Sequence, residues 1–147
     1  MFKNILVPTD GSSLSESAVE RAVAFAKSIN ARITFFYAQP DFPLPIYGEG
    51  SLIDPTTPEQ FSAAAESEAQ AILGKAKQLA DAAGVIADTD TVINEVPYQA
   101  IIDAAKRRNC DLVFMASHGR RGIAGLLLGS EATKVLTHCH IPVLIYR

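Results

Sequence analysis

The chain has 147 residues, 48% of them apolar and 20% charged, with a formal net charge of -3. That length suits one domain with a substantial core, and a mildly acidic balance gives no basic footprint for nucleic acid or an anionic membrane. No apolar run approaches the ~20 residues that cross a bilayer. Met1–Asn4 leads straight into a strand-like segment without the apolar core of a signal peptide, so a cytoplasmic location is expected.

Ile5-Leu6-Val7 is a short continuous apolar run, the pattern of a strand covered on both faces of a parallel sheet. Pro8-Thr9-Asp10-Gly11 ends it in a turn. Ser13 and Glu16 have the form of a capping box, and Leu14, Ala18, Ala22, Phe25, Ala26 and Ile29 recur at helical spacing behind it. Asn30, which tolerates the left-handed conformation, is the expected stop. Ile33 to Tyr37 is β-branched and aromatic and predicts a second strand. From Gln39 to Thr56 prolines and glycines predict a long loop, with Leu44, Ile46, Tyr47, Leu52 and Ile53 as residues that would let it pack down as a lid or against a partner.

Thr57-Pro58-Glu59-Gln60 supplies a cap, a proline at the first helical position and a side chain that reaches back. The helix is predicted to run through Phe61, Ala65, Ala69, Ile72, Ala76, Leu79 and Ala83 to a stop at Gly84, with Gly74 as a packing glycine. Ala87 to Ile93 alternates and carries Asp88 and Asp90 on one side, which predicts a strand near a sheet edge with one wet face rather than a paired-carboxylate site. Pro97 opens a further helix, with Lys106-Arg107-Arg108 placed to complement its C-terminus. Leu112–Met115 and Val143–Tyr146 are the last two strands. Alternating strands and helices predict an open α/β sheet with helices on both faces.

Cys110 and Cys139 are far apart and form no C-x-x-C pair, so both are expected to be free thiols. His138-Cys139-His140 resembles a metal cluster in composition only. Neighbouring side chains diverge, and zinc ligands are usually spaced two to four residues apart.

Between the last two strands lies Ala116-Ser117-His118-Gly119-Arg120-Arg121-Gly122-Ile123-Ala124-Gly125-Leu126-Leu127-Leu128-Gly129-Ser130, followed by the helical Glu131 to Leu136. Strand, glycine-rich turn, helix is the arrangement of a phosphate cradle: glycines let backbone N–H groups approach an anion, and the helix N-terminus adds partial positive charge. Ser130 offers a hydroxyl, Arg120 and Arg121 add mobile charge, and His118 suits a loop-bracing role. Neither G-x-G-x-x-G nor a Gly-Lys-Ser/Thr ending is present, so the dinucleotide and Walker patterns do not account for the loop. The bland alternative is that the glycines form turns only, with Leu126-Leu127-Leu128 as a buried plug.

The loop resembles that of the universal stress protein family, whose ATP-binding members carry G-x2-G-x9-G-[S/T]. Gly119, nine residues, then Gly129-Ser130 match its second half, while Ala116 stands where the first glycine falls. Leu6 to Ser12 and Pro142-Val143-Leu144 match as well, and the likeness covers nearly the whole chain. The resemblance implies a single domain with a five-stranded parallel sheet of order 3-2-1-4-5, of the adenine nucleotide alpha hydrolase-like type. It implies ATP, with Mg2+ or Mn2+ held through the phosphates. The contact set it implies is Pro8, Thr9, Asp10, Ala38, Ala116, His118, Gly119, Arg120, Gly122, Gly129, Ser130 and Glu131. Asp10 and the backbone near Ala38 would face adenine and ribose; Gly119, Gly129, Ser130 and the Glu131 amide would hold phosphates. It also implies a homodimer through Val143–Tyr146, where an apolar strand with a free edge ends the chain.

Two other readings share the cleft. One is a slow ATPase or nucleotide hydrolase. Ser117, His118 and Asp10 suggest a triad, but neighbouring Ser and His side chains are expected to point apart, and G-x-S-x-G is absent. The other is a dimeric interaction module in which Ala116 has disabled binding.

Overall fold

The computed structural model describes residues 1–43, 57–120 and 127–147. The lid expected from Leu44 to Ile53, and Arg121 to Leu126 of the glycine-rich loop, lie outside them. In chain order the elements are β1 (Asn4–Pro8), α1 (Ser13–Ile29), β2 (Arg32–Gln39), α2 (Pro58–Ala83), β3 (Ala87–Ile93), α3 (Pro97–Arg107), β4 (Leu112–Ala116), α4 (Ser130–His138) and β5 (Val143–Tyr146). The strands form one parallel sheet in the order β3-β2-β1-β4-β5, the expected 3-2-1-4-5.

Strand alternation divides the core into two layers. Ile5, Val7, Ile33, Phe35, Leu112, Phe114 and Ala116 face α1 and α2. Leu6, Phe36, Val113 and Met115 face α3 and α4. Both faces of the central strands are therefore covered, which is why they read as unbroken apolar runs.

Local chemistry sets the helix ends, with differences from the sequence reading. The N-cap of α1 is Ser12, whose hydroxyl accepts the Ser15 N–H at 3.3 Å, one residue earlier than the expected Ser13. Asn30 closes α1 at φ 56°, as predicted. At α2 the Thr57–Gln60 capping box forms and Gly84 stops the helix at φ 74°. The buried stripe of α2 is Ala65, Ala69, Leu73, Ala76 and Ala80; the expected Ile72 packs half-buried against the core, while Leu79 is 37% exposed and Leu73 and Ala80 are buried in addition. Gly74 is not a packing glycine: a Cβ there would meet nothing within 4 Å. Gln39, expected in the loop, is the last residue of β2.

β3 lies at the sheet edge, as its alternation predicts. Its aspartates are held in ion pairs: Asp88 with Arg32, and Asp90 with Arg107 at 2.6 Å and Arg108 at 3.2 Å. The two arginines thus tie α3 to β3 in addition to facing a helix C-terminus. At the other edge, β5 pairs among the described residues with β4 alone.

β1 pairs with β2 over five positions, Asn4↔Arg32 to Pro8↔Phe36, but with β4 over two, Ile5↔Leu112 and Leu6↔Val113. The Thr9 N–H reaches Phe36 O at 2.9 Å and the Asp111 N–H reaches Asn4 O, so odd positions of β1 address β2 and even ones address β4. Leu6 and Pro8 are therefore the successive residues turned toward β4. Proline has no N–H to give, and the ladder stops there. β1 and β4 part at their carboxyl ends, at the point where strand order reverses. In open α/β sheets that crevice is where ligands bind.

Candidate functional site

Three segments meet at the crevice: the turn after β1, the turn after β4 and the start of α4. The turn after β1 is fixed from inside. Thr9 is buried, its Oγ1 accepts from Ser15 Oγ at 2.7 Å, and Ser15 Oγ in turn accepts the Asp10 N–H at 3.2 Å. The Asp10 carboxylate then serves two amides, Ser12 N–H through Oδ1 at 3.0 Å and Arg120 N–H through Oδ2 at 2.8 Å. Asp10 and Gly119 are packed so closely that a Cβ on Gly119 would overlap Oδ2.

The turn after β4 is braced against β5 and α4. The Ser117 N–H donates to Tyr146 O and the Gly129 N–H donates to Ser117 O, each at 2.7 Å. A Cβ on Gly129 would stand 2.9 Å from His118 Cβ and 3.1 Å from Ser117 O. Gly129 therefore allows the chain to pass against the 117–118 backbone, and its own amide is already engaged. Ser117 and His118 do not point apart: Ser117 Oγ lies 3.1 Å from His118 Nδ1. Ser117 is only 2% exposed, however, and Asp10 is turned to Ser12 and Arg120 instead of to His118. No hydrolytic triad is assembled from these three.

Gly129 is also the N-cap of α4, and no side chain caps that helix. Thr133 N–H donates to Gly129 O at 3.1 Å, while among the described residues nothing accepts from the amides of Ser130, Glu131 and Ala132. Ser130 is exposed at this end. Uncapped amides at a helix N-terminus form a ready anion site. The Glu131 carboxylate is turned away to α3, where Oε2 accepts the Tyr98 N–H at 2.8 Å and caps a helix whose own N-cap, Val96, offers none.

The other residues of the expected contact set lie in several different places. Ala38, half-buried, packs with the α3 and α4 layer. Ala116 ends β4, and its methyl lies in the α1/α2 layer, the face away from α4. Gly122 lies outside the described residues. Arg120 has its backbone at the crevice, but its guanidinium crosses to α2, where Nη1 pairs with Glu68 Oε1 at 2.8 Å. That hydrogen bond to Glu68 raises the Arg120 pKa further. Tyr37 lies in the same field: burial first, then the Glu68 and Asp10 charges, push its phenol pKa up.

The sequence reading did not single out Glu68, Tyr37 or the Ser15–Thr9 bridge. Glu68 lies 52 positions before Arg120 in the chain, so no local spacing signals the pair. A cleft of about 280 Å³ opens between α1 and α2 beside Arg120, floored by Val19, Ile72 and Ala76. Its rim charges Glu16 and Lys75 pair with one another at 2.6 Å. At the start of α4, three amides have no acceptor among the described residues.

Comparison with known proteins agrees with this frame. The model of the universal stress protein family matches residues 1–147. Universal stress protein MJ0531 of Methanocaldococcus jannaschii is 33% identical over 150 aligned positions, which cover all of this chain and 83% of that one. A solved universal stress protein in complex with cAMP is 30% identical, with a TM-score of 0.71 over 99% of this chain and 97% of its own. Hypothetical protein MJ0577 has the same fold, with a TM-score of 0.81 at 23% identity over 99% of this chain and 95% of its own. The chain belongs to the universal stress protein family.

Proposed function

We propose that this protein is a regulatory adenine-nucleotide binder that holds ATP across the β1/β4 crevice, with a divalent cation on the phosphates. The observation that carries the reading is the uncapped N-terminus of α4 at the strand-order reversal. The donor set fits a phosphate tail: three backbone amides and the exposed Ser130 hydroxyl. Mg2+ or Mn2+ would share the phosphate oxygens with Ser130 and neutralise their charge. The family resemblance assigns adenine and ribose to Asp10, which lies at the crevice, and to the backbone near Ala38 on β2. The 30% identical universal stress protein seen with cAMP supports the adenine-nucleotide class.

The protein's role is binding rather than rapid turnover. The buried Ser117 hydroxyl is inaccessible to a substrate, and the sequence has no Walker lysine to stabilise a transferring phosphoryl group.

The free edge of β5 supports a homodimer. Alternation along the β4–β5 ladder, with Val113 N–H bonded to Pro142 O and Ser117 N–H to Tyr146 O, turns the amides of Val143 and Ile145 outward. A second copy satisfies them. Gel filtration or sedimentation at the mass of two chains is the expected result, and a single-chain mass at micromolar concentration refutes it.

Thermal unfolding with and without Mg-ATP tests the binding reading. Ligand at a hundredfold over Kd adds about 2.7 kcal/mol to stability. For a domain of this size that raises Tm by roughly 5–10 °C. An unchanged Tm at millimolar Mg-ATP, with no nucleotide copurifying, rejects it and leaves the interaction-module reading.

A further inference from the structure

Arg120 is anchored at two points that belong to different parts of the molecule. Its backbone N–H is fixed to Asp10 at the crevice, while its guanidinium is held by Glu68 on α2. The first bond fixes the base of the side chain and leaves the rest free to turn. The second places the charge over the α1/α2 face, away from the helix whose amides await an anion.

The Glu68–Arg120 pair is half exposed at both ends, with side chains 43% and 50% accessible. Such pairs hold weakly. A phosphate presents a doubly acceptor-rich, more highly charged partner that guanidinium groups bind in bidentate fashion. The competition therefore favours a polyphosphate over a monophosphate, because the longer chain carries more charge and more acceptor oxygens.

We infer that Glu68 is a specificity-determining residue: it sequesters Arg120 in the empty protein, and release of Arg120 to the terminal phosphates sets the preference for nucleoside triphosphate over monophosphate. This rests on the nucleotide-binding reading above and adds to it a residue that makes no ligand contact. Glu68 acts through Arg120 and is a positioning residue. Its carboxylate opposes triphosphate binding by the strength of the pair it forms.

The test is the ratio of Kd values for Mg-ATP and AMP, measured by calorimetry on the full chain. Glu68→Gln keeps the shape and removes the charge. It is expected to tighten Mg-ATP by a factor of up to about five, the range of an exposed ion pair, and to leave AMP unchanged. Arg120→Gln is expected to reduce the wild-type ATP/AMP preference, and adding Glu68→Gln to it to change nothing further. Glu68→Ala provides a second variant with the same expectation, and circular dichroism checks that each is folded.

Wild type that binds both ligands, with an ATP/AMP ratio unmoved by Glu68→Gln, overturns the assignment and leaves nucleotide binding standing. Wild type that binds neither overturns both. A Glu68→Gln variant that tightens AMP as much as ATP also overturns it, because the residue would then act on the site as a whole.

Discussion

Oδ2 of Asp10 occupies the space that a side chain on Gly119 would need, and it uses that position to accept the neighbouring Arg120 N–H at 2.8 Å. The end of β1 and the turn after β4, more than a hundred residues apart in the chain, are joined by this one contact between a carboxylate and a bare Cα.

Gly119→Ala is accordingly expected to push the Asp10 carboxylate off the Arg120 amide. Overpacking of this kind costs about 1–3 kcal/mol, read as a lower urea midpoint at unchanged m. Asp10→Ser in the Gly119→Ala background should recover part of the loss, because the smaller side chain vacates the contested volume. Simple additivity of the two changes would show that they do not touch.

Gly129 and Ser130, adjacent in sequence, should separate cleanly. Gly129→Val forces a branched side chain against the backbone of His118 and Ser117, so it is expected to destabilise the apo protein by several kcal/mol, before any ligand is added. Ser130→Ala touches an exposed hydroxyl at the first position of α4 and should leave apo stability within about 0.5 kcal/mol. It should nevertheless reduce the Mg-ATP thermal shift. Parallel melts of both variants with and without Mg-ATP decide the matter.

Glu131→Ala is expected to lower stability by about 1 kcal/mol, the usual cost of a lost helix cap. The loss should appear at α3, whose Tyr98 amide loses its acceptor, and not at α4, which carries the residue. Hydrogen exchange at the Tyr98 amide should accelerate in Glu131→Ala and much less in Glu131→Gln, which retains an oxygen in place. Equal acceleration in both would assign the effect to charge rather than to the cap.

The two cysteines should differ in reactivity. Burial, above all, raises the Cys110 thiol from an ordinary value of 9.0 to about 11, whereas Cys139 is half exposed. The thiolate is the reactive form, so iodoacetamide at pH 8.5 should label Cys139 and spare Cys110 in the folded protein. The raised value also has a sign for stability. Between pH 9 and about 11 the unfolded chain gives up this proton while the folded chain keeps it, so the Cys110 contribution to stability falls as pH rises through that window. Peptide mass mapping after labelling tests the first statement, and Cys110→Ala, which removes that part of the pH slope, tests the second.

Much of the architecture was legible because a doubly covered parallel sheet writes its strands as apolar runs, and because Thr57-Pro58-x-Gln60 and Asn30 are local signals that no tertiary contact has to supply. The errors came where local signals compete. Ser12 and Ser13 are adjacent at the start of α1, and the path of the chain from Thr9 makes Ser12 the cap. Along the alanine-rich α2 two neighbouring stripes have similar periodicity, and close packing favours the one bearing Ala80 over the one bearing Leu79. At the site, the glycine spacing marked the loop but not why each glycine is there. Gly119 yields to Asp10 and Gly129 to His118, which are relationships between segments and leave no trace in spacing.

The parting of β1 from β4 at Pro8 bears on how a ligand would arrive. A ring nitrogen without hydrogen cannot extend the β1–β4 ladder past Leu6, so among the described residues no strand pairing has to break before a ligand enters. Association should then be a simple collision process, with an observed rate rising linearly with nucleotide concentration and no plateau from a slow rearrangement of the sheet.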